Sequence, residues 1–136
     1  MNWTLEVVVV PVSDVGRARD FYADRLGFAV DHDTTTPDGT RLVQLTPPGS
    51  GCSIVIRRGD MPPGSLKGVQ LVVNDVRAAR ASLAANGVAA SEVQFYGRDG
   101  TVRPATDEDD LNNSGFVHFE DPDGNAWAVQ QITARP

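Results

Sequence analysis

The chain is poor in the residues that would give it a simple label. Among 136 residues it has one cysteine, Cys52, one lysine, Lys67, two histidines and two methionines. A single thiol excludes an internal disulfide and suits a reducing, cytoplasmic setting. No apolar run approaches the roughly 20 residues that a membrane span requires, so no membrane partner is expected. The opening residues, Met1-Asn2-Trp3-Thr4-Leu5-Glu6, carry no basic stretch of the kind that starts a secretory signal, and none is expected. Scarce lysine and a net charge of −6 remove the positive surface that phosphate binding needs, which argues against nucleic acid as a partner. With 40% hydrophobic residues, the chain has enough apolar material for one core.

The chain does contain a repeat. The first half reads Val9-Val10-Pro11-Val12-Ser13-Asp14-Val15 and the second Gln70-Leu71-Val72-Val73-Asn74-Asp75-Val76. The pairs Asp14/Asp75, Val15/Val76, Ala18/Ala79 and Arg19/Arg80 share one offset, 75 − 14 = 61 positions. A period of this length is one supersecondary unit used twice. Two such units facing each other would enclose a cleft, the usual setting for a small-molecule site.

Each half predicts the same order of elements. Val7 to Val12 is a β-branched run that suits a buried strand. Ser13 or Asp14 caps a helix whose inner stripe is Val15, Ala18, Tyr22 and Leu26, with Phe21 beside it, and Gly27 stops it. Strands follow near Phe28 to Asp33, Arg41 to Thr46 and Cys52 to Arg57, separated by Pro37-Asp38-Gly39 and Pro47-Pro48-Gly49-Ser50-Gly51. In the second half, Gly68 to Val73 is a strand, and Asn74 or Asp75 caps a helix with stripe Val76, Ala79 and Leu83. Strands are then expected near Val88 to Tyr96, Gly115 to Phe119 and Ala126 to Ile132. The reading is an α+β domain of two βαβββ repeats, about 4–58 and 67–132, joined by a linker at 59–66. A polar insertion at 97–114 holds Asp107-Glu108-Asp109-Asp110. An acidic run is a candidate cation site, but solvation is its ordinary fate.

The words Pro11-Val12-Ser13-Asp14, Phe21-Tyr22, Leu26-Gly27-Phe28 and Asp121-Pro122-Asp123-Gly124-Asn125, set in paired repeats, resemble the vicinal oxygen chelate superfamily. That family includes glyoxalase I, bleomycin-resistance proteins and extradiol dioxygenases. The resemblance implies paired open sheets around a cleft and, commonly, a homodimer. It does not fix an activity, because the scaffold hosts isomerases, dioxygenases, transferases and binding proteins. Asp121 to Asn125 also suits a turn between two strands, with Pro122 fixing φ and Gly124 taking positive φ.

In metal-dependent members the resemblance places His, Glu or Gln on the first and last strands of each half. The corresponding positions here are Val7, Gly68, Ala128 and Val55, with Ile54 as the alternative to Val55. None offers a lone pair, whereas zinc, iron or nickel needs three or four N, O or S ligands. The expectation is therefore no metal and no cofactor. A register shifted by two would put Gln70 and Gln130 on the ligand positions instead.

Strand alternation predicts what lines the cleft. Val43, Leu45, Val117 and Phe119 belong toward the helices, and Gln44 and His118 toward the cleft. The same parity adds Val7, Val9, Gln70, Ala126, Ala128 and Gln130, with Val55 and Arg57. Tyr96 and Arg98, where the insertion begins, are expected to close over the site. Trp127 has core parity, His32 is expected at the surface, and Cys52 has no histidine partner to make it a nucleophile. Apolar walls with a few polar tips suit a small-molecule ligand. Three functions follow. The first is a metal-independent binding protein of the bleomycin-resistance type. The second is a cofactorless isomerase or cyclase using His118 as acid or base; in the plainer reading His118 only satisfies a neighbouring backbone group. The third is a metal-dependent glyoxalase-like lyase or dioxygenase.

Overall fold

The computed structural model describes residues 1–134. Contacts divide the chain into two compact units. The first is Met1–Leu66 together with Asp121–Asn125, and the second is Lys67–Glu120 with the chain from Ala126 onward.

In the first unit, β1 (Val7–Pro11), β2 (Ala29–Thr35), β3 (Arg41–Thr46) and β4 (Ser53–Arg57) form an open mixed sheet in the order β1-β4-β3-β2. Helix α1 (Val15–Asp20) continues through a π-helical turn, Phe21–Arg25, and packs on β3 and β4. Asp14, rather than Ser13, is the cap: its carboxylate accepts the Arg17 N–H at 3.0 Å. The π-turn changes the predicted stripe. Val15, Ala18, Phe21 and Tyr22 are buried, but the wider turn leaves Leu26 only half-buried. Phe28 takes its place, stacking on Tyr22 with ring centroids 5.8 Å apart. Alternation does the rest: Val43, Leu45 and Ile56 have no exposed surface and Ile54 has little.

In the second unit, β5 (Val69–Val73), β6 (Gln94–Tyr96), β7 (Val102–Pro104), β8 (Gly115–Glu120) and β9 (Ala126–Gln131) form an open sheet in the order β5-β9-β8-β6-β7. Helix α2 (Val76–Ala85), capped by Asp75, packs on β8 and β9. Val117, Phe119 and Trp127 fill the covered face, as the parity predicted, together with Val129.

Two predicted features of this unit are corrected. The strand expected from Val88 to Tyr96 shrinks to its last three residues, with one isolated bridge between Ala90 and Phe119. The Ser91 hydroxyl takes the His118 N–H at 3.0 Å, so a side chain replaces the ladder there. The insertion also supplies an extra strand, β7, paired with β6, so this half is βαββββ rather than βαβββ. The signal for it was Asp99-Gly100 between Phe95-Tyr96 and Thr101-Val102, since Asp-Gly between β-formers marks a hairpin. Gly100 takes φ +86° in that turn, and Gly97 N–H reaches Thr101 O at 2.8 Å.

The turn between β8 and β9 is knotted around one carboxylate. Asp121 is 5% exposed. It accepts from Tyr22 Oη at 2.7 Å, Asn125 Nδ2 at 2.7 Å, Asn125 N at 2.9 Å and Asp123 N at 3.0 Å. Asn125, fully buried, also donates to Pro11 O at 2.9 Å and accepts the Leu66 N–H at 3.1 Å. Asp123 takes the Ser13 hydroxyl at 2.5 Å. A buried charge is tolerated only when hydrogen-bonded, and here neutral donors supply those bonds. Tyr22→Phe removes one donor from the buried carboxylate. Its expected cost is roughly 1.5–3 kcal/mol, read as a lower urea midpoint with an unchanged m-value.

Candidate functional site on the open sheet faces

Cross-strand pairing tells which residues share the uncovered face of each sheet. On the four-stranded sheet, Val9 pairs with Val55, Val55 with Gln44, and Gln44 with His32, one row across all four strands. Val7 lies beside this row, and Arg57 ends β4, exposed. His32 is at the surface as expected, but a bulge redirects it. Pairing runs Val30 with Leu45 and then His32 with Gln44, which leaves Asp31 as an extra residue. Without the bulge His32 would fall on the helix side. Asp31 is held by the Thr46 hydroxyl, which lies 2.6 Å from the Ser53 hydroxyl. No hydrophobic periodicity reports a single inserted residue, so the bulge was not legible in sequence.

On the five-stranded sheet the equivalent row is Gln70, Ala128, His118. The neighbouring row is Val72, Gln130, Phe116 and Gln94. Tyr96 stands on the same face. Its hydroxyl is 3.0 Å from His118 Nε2, and its ring lies 4.4 Å from that of Phe116. The rings of Phe116 and His118 are nearly parallel, at 7°. Phe116 was missed although its parity matches His118. The small Ala128 side chain, opposite His118, leaves an open floor between the aromatic cluster and two glutamines. Gln70 Nε2 donates to Gln130 Oε1, and Gln130 Nε2 donates to Asn113 O at 2.9 Å. The sheet therefore brings together Gln70, Tyr96, His118, Ala128 and Gln130. Arg98 does not join them; it sits exposed in the β6–β7 turn.

The side chains at the four implied ligand positions do not suit a transition metal. Val7, Val55 and Ala128 present carbon only. Gly68 precedes β5, with its N–H bonded to Ala126 O at 3.1 Å. The shifted alternative fares no better: the facing groups of Gln70 and Gln130 are spent on each other, and neutral amides are poor ligands for zinc, iron or nickel. In the acidic run, Asp109 is committed to Arg103, with both contacts at 2.8 Å, and to the Thr106 N–H at 2.7 Å.

That ion pair fastens the hairpin carrying Tyr96. Arg103 also lies over the Phe95 ring at 4.5 Å, on the side away from Tyr96. Its guanidinium, with the Thr106 N–H, holds the Asp109 carboxyl well below the ordinary carboxylate range. A depressed folded-state pKa stabilises above the unfolded value and is lost only as pH falls through the folded value. Amide-exchange protection of β6 and β7 should therefore persist from neutral pH to below about pH 4, the ordinary carboxylate value, and fail only in stronger acid. Asp109→Asn should loosen the same amides already at neutral pH.

The family model described as Glyoxalase/Bleomycin resistance protein/Dioxygenase superfamily matches residues 4–129. No match is found among curated proteins. Among solved structures, the chain is 32% identical to TnmS3, an antibiotic-binding protein from Streptomyces sp. CB03234, over 96% of this chain and 97% of that one, with a TM-score of 0.75. It is also 32% identical to a glyoxalase/bleomycin resistance protein from Streptomyces sp. CB03234, over 94% of this chain and 100% of that one, TM-score 0.72. A superfamily member from Sphaerobacter thermophilus DSM 20745, at 24% identity over 96% and 98% with TM-score 0.75, shares the fold.

Proposed function

We propose that this chain, which belongs to the Glyoxalase/Bleomycin resistance protein/Dioxygenase superfamily, binds a small organic molecule on the open face of its five-stranded sheet without a metal ion. The observation that carries the reading is the row Gln70, Ala128, His118, flanked by Tyr96 and Phe116. It is an alanine floor between an aromatic, hydrogen-bonding wall and an amide wall. Such a mix of apolar surface with few polar groups is what small-molecule sites use. The likeness to an antibiotic-binding protein over nearly the whole chain supports an organic small-molecule ligand. Carbon at the implied ligand positions, and amides already engaged with each other, support metal independence.

A second reading is favoured by one contact. The bond between Tyr96 and His118 joins two groups able to exchange a proton, which suits a cofactorless isomerase or cyclase with His118 as acid or base. Binding without turnover in the wild-type chain would set it aside.

The expected outcome for the binding reading has two parts. Elemental analysis after dialysis should find no stoichiometric zinc, iron or nickel, while ligands from a thermal-shift screen still raise the melting temperature in the presence of chelator. His118→Ala should then weaken binding by roughly 0.5–1.5 kcal/mol, the ordinary net worth of one hydrogen bond. One metal ion per chain, lost together with binding, would restore the lyase or dioxygenase reading.

A homodimer and a cytoplasmic setting belong to the same proposal. Strands β1 and β5 are paired on one side only, and Trp3 and Leu5, just before β1, are 88% and 68% exposed. An unpaired edge beside exposed apolar residues is a natural seat for a partner chain. No helix among the described residues is long and apolar enough to cross a membrane. Sedimentation equilibrium at micromolar concentration should give twice the chain mass, and a monomer there would contradict the dimer.

A further inference from the structure

Resting on the reading of this face as a ligand site, we propose that it has a fixed polarity. His118 Nδ1–H is a hydrogen-bond donor on one side of the Ala128 floor, and Gln70 Oε1 is an acceptor on the other. The ligand class that fits is a flat single-ring aromatic molecule with a carbonyl at one end and a hydroxyl at the other.

The donor follows from Tyr96. Its hydroxyl and His118 Nε2 are 3.0 Å apart, the one hydrogen bond that either side chain makes among the described residues. A neutral imidazole carries its proton on one nitrogen only. A phenol is a stronger donor than acceptor, because its oxygen lone pair is drawn into the ring. The better bond is therefore Tyr96 O–H to an unprotonated Nε2. That leaves the proton on Nδ1, which has no protein partner among the described residues. Tyr96 is thus a positioning residue that selects the tautomer of His118.

The acceptor follows from Asn113. Its backbone carbonyl can only accept, so Gln130 must turn its NH₂ toward it, at 2.9 Å. Gln130 Oε1 then faces Gln70, which must answer with its own NH₂. Two amide orientations are fixed by one carbonyl, and Gln70 Oε1 is the group left over. Asn113 is itself held in place by its positive φ of 64° and by its N–H bond to Gln131 O at 2.8 Å.

The spacing sets the ligand size. Gln70 and His118 lie in one row with β9 between them, so their backbones are about 10 Å apart, two strand spacings. Two hydrogen bonds take up part of that gap, and one aromatic ring with a substituent at each end fills the rest. The parallel rings of Phe116 and His118 and the ring of Tyr96 offer flat apolar surface beside it.

The test uses three probes and one spectrum. The probes are 4-hydroxyacetophenone, its analogue with ethyl in place of acetyl, and its analogue without the hydroxyl. Nitrogen-15 spectra of the wild-type protein at mildly alkaline pH should show His118 protonated at Nδ1, and the Tyr96→Phe protein a mixture of tautomers. The full probe should bind about fivefold more tightly than either analogue, the ratio expected for one ordinary hydrogen bond. Tyr96→Phe should weaken discrimination by the acetyl group and keep discrimination by the hydroxyl in full; Gln70→Met should weaken discrimination by the hydroxyl and keep that by the acetyl group. A wild-type His118 protonated at Nε2 would overturn the proposal with no variant needed. Equal binding of all three probes, with shifts at His118, would overturn the polarity yet leave the face as a site. No binding by any probe would overturn the single-ring class, and shifts confined to other residues would overturn both the polarity and the site.

Discussion

The Asp121 carboxylate fixes the geometry on which the proposed site depends. The turn Asp121–Asn125 closes with Asp121 N–H to Asn125 O at 3.0 Å, which sets Glu120 opposite Ala126 and, two residues on, His118 opposite Ala128. A slip of one residue in that turn would send His118 into the core and bring Trp127 out. Four hydrogen bonds from Tyr22, Asp123 and Asn125 hold the carboxylate in place. Sequence, register and site are linked here in one step. The residues that look like a mere turn decide which side of β8 carries the imidazole.

A second constraint acts from the other end of the same sheet. The β6–β7 hairpin is short, and a two-stranded ribbon has little stability of its own. It is held from one side by Arg103, clamped between Asp109 and the Phe95 ring. On its opposite side it presents Tyr96 to His118 and Phe116. The acidic insertion that invites a metal-site reading therefore works through one aspartate as an anchor. In the second repeat the edge of β8 beside His118 is met by Ser91 and its neighbour Ala90 rather than by a full strand, and β6 pairs there only with Phe116 and Gly115. The first repeat has β2 in that place, and a bulge at Asp31 to bring His32 beside Gln44.

Most of the fold was legible because its signals are periodic. The offset between Asp14 and Asp75 gave the repeat, alternation gave the buried Val43, Leu45, Val117 and Phe119, and parity placed Gln44 and His118 opposite them. What was not legible breaks periodicity. The π-turn at Phe21–Arg25 displaced Leu26, the bulge at Asp31 redirected His32, and Ser91 replaced a stretch of strand with a side-chain bond. Strand β7 could have been found from Asp99-Gly100, but a polar insertion reads as loop when its few β-formers are scattered. The partners of Gln70 and Gln130 were beyond reach, because they depend on the carbonyl of Asn113, a residue in positive φ far from either in sequence.

The central claim, that a small molecule binds the open face of the five-stranded sheet without a metal, is tested most directly by an amide chemical-shift map. It would use a ligand identified by thermal shift, at saturation, first without and then with chelator. The account predicts shifts concentrated on Gln70, Tyr96, Phe116, His118 and Ala128, unchanged when chelator is added. Shifts centred on the first unit's polar groove at Asp14, Asp38 and Arg58, or shifts that vanish with chelator and return with zinc, would contradict it.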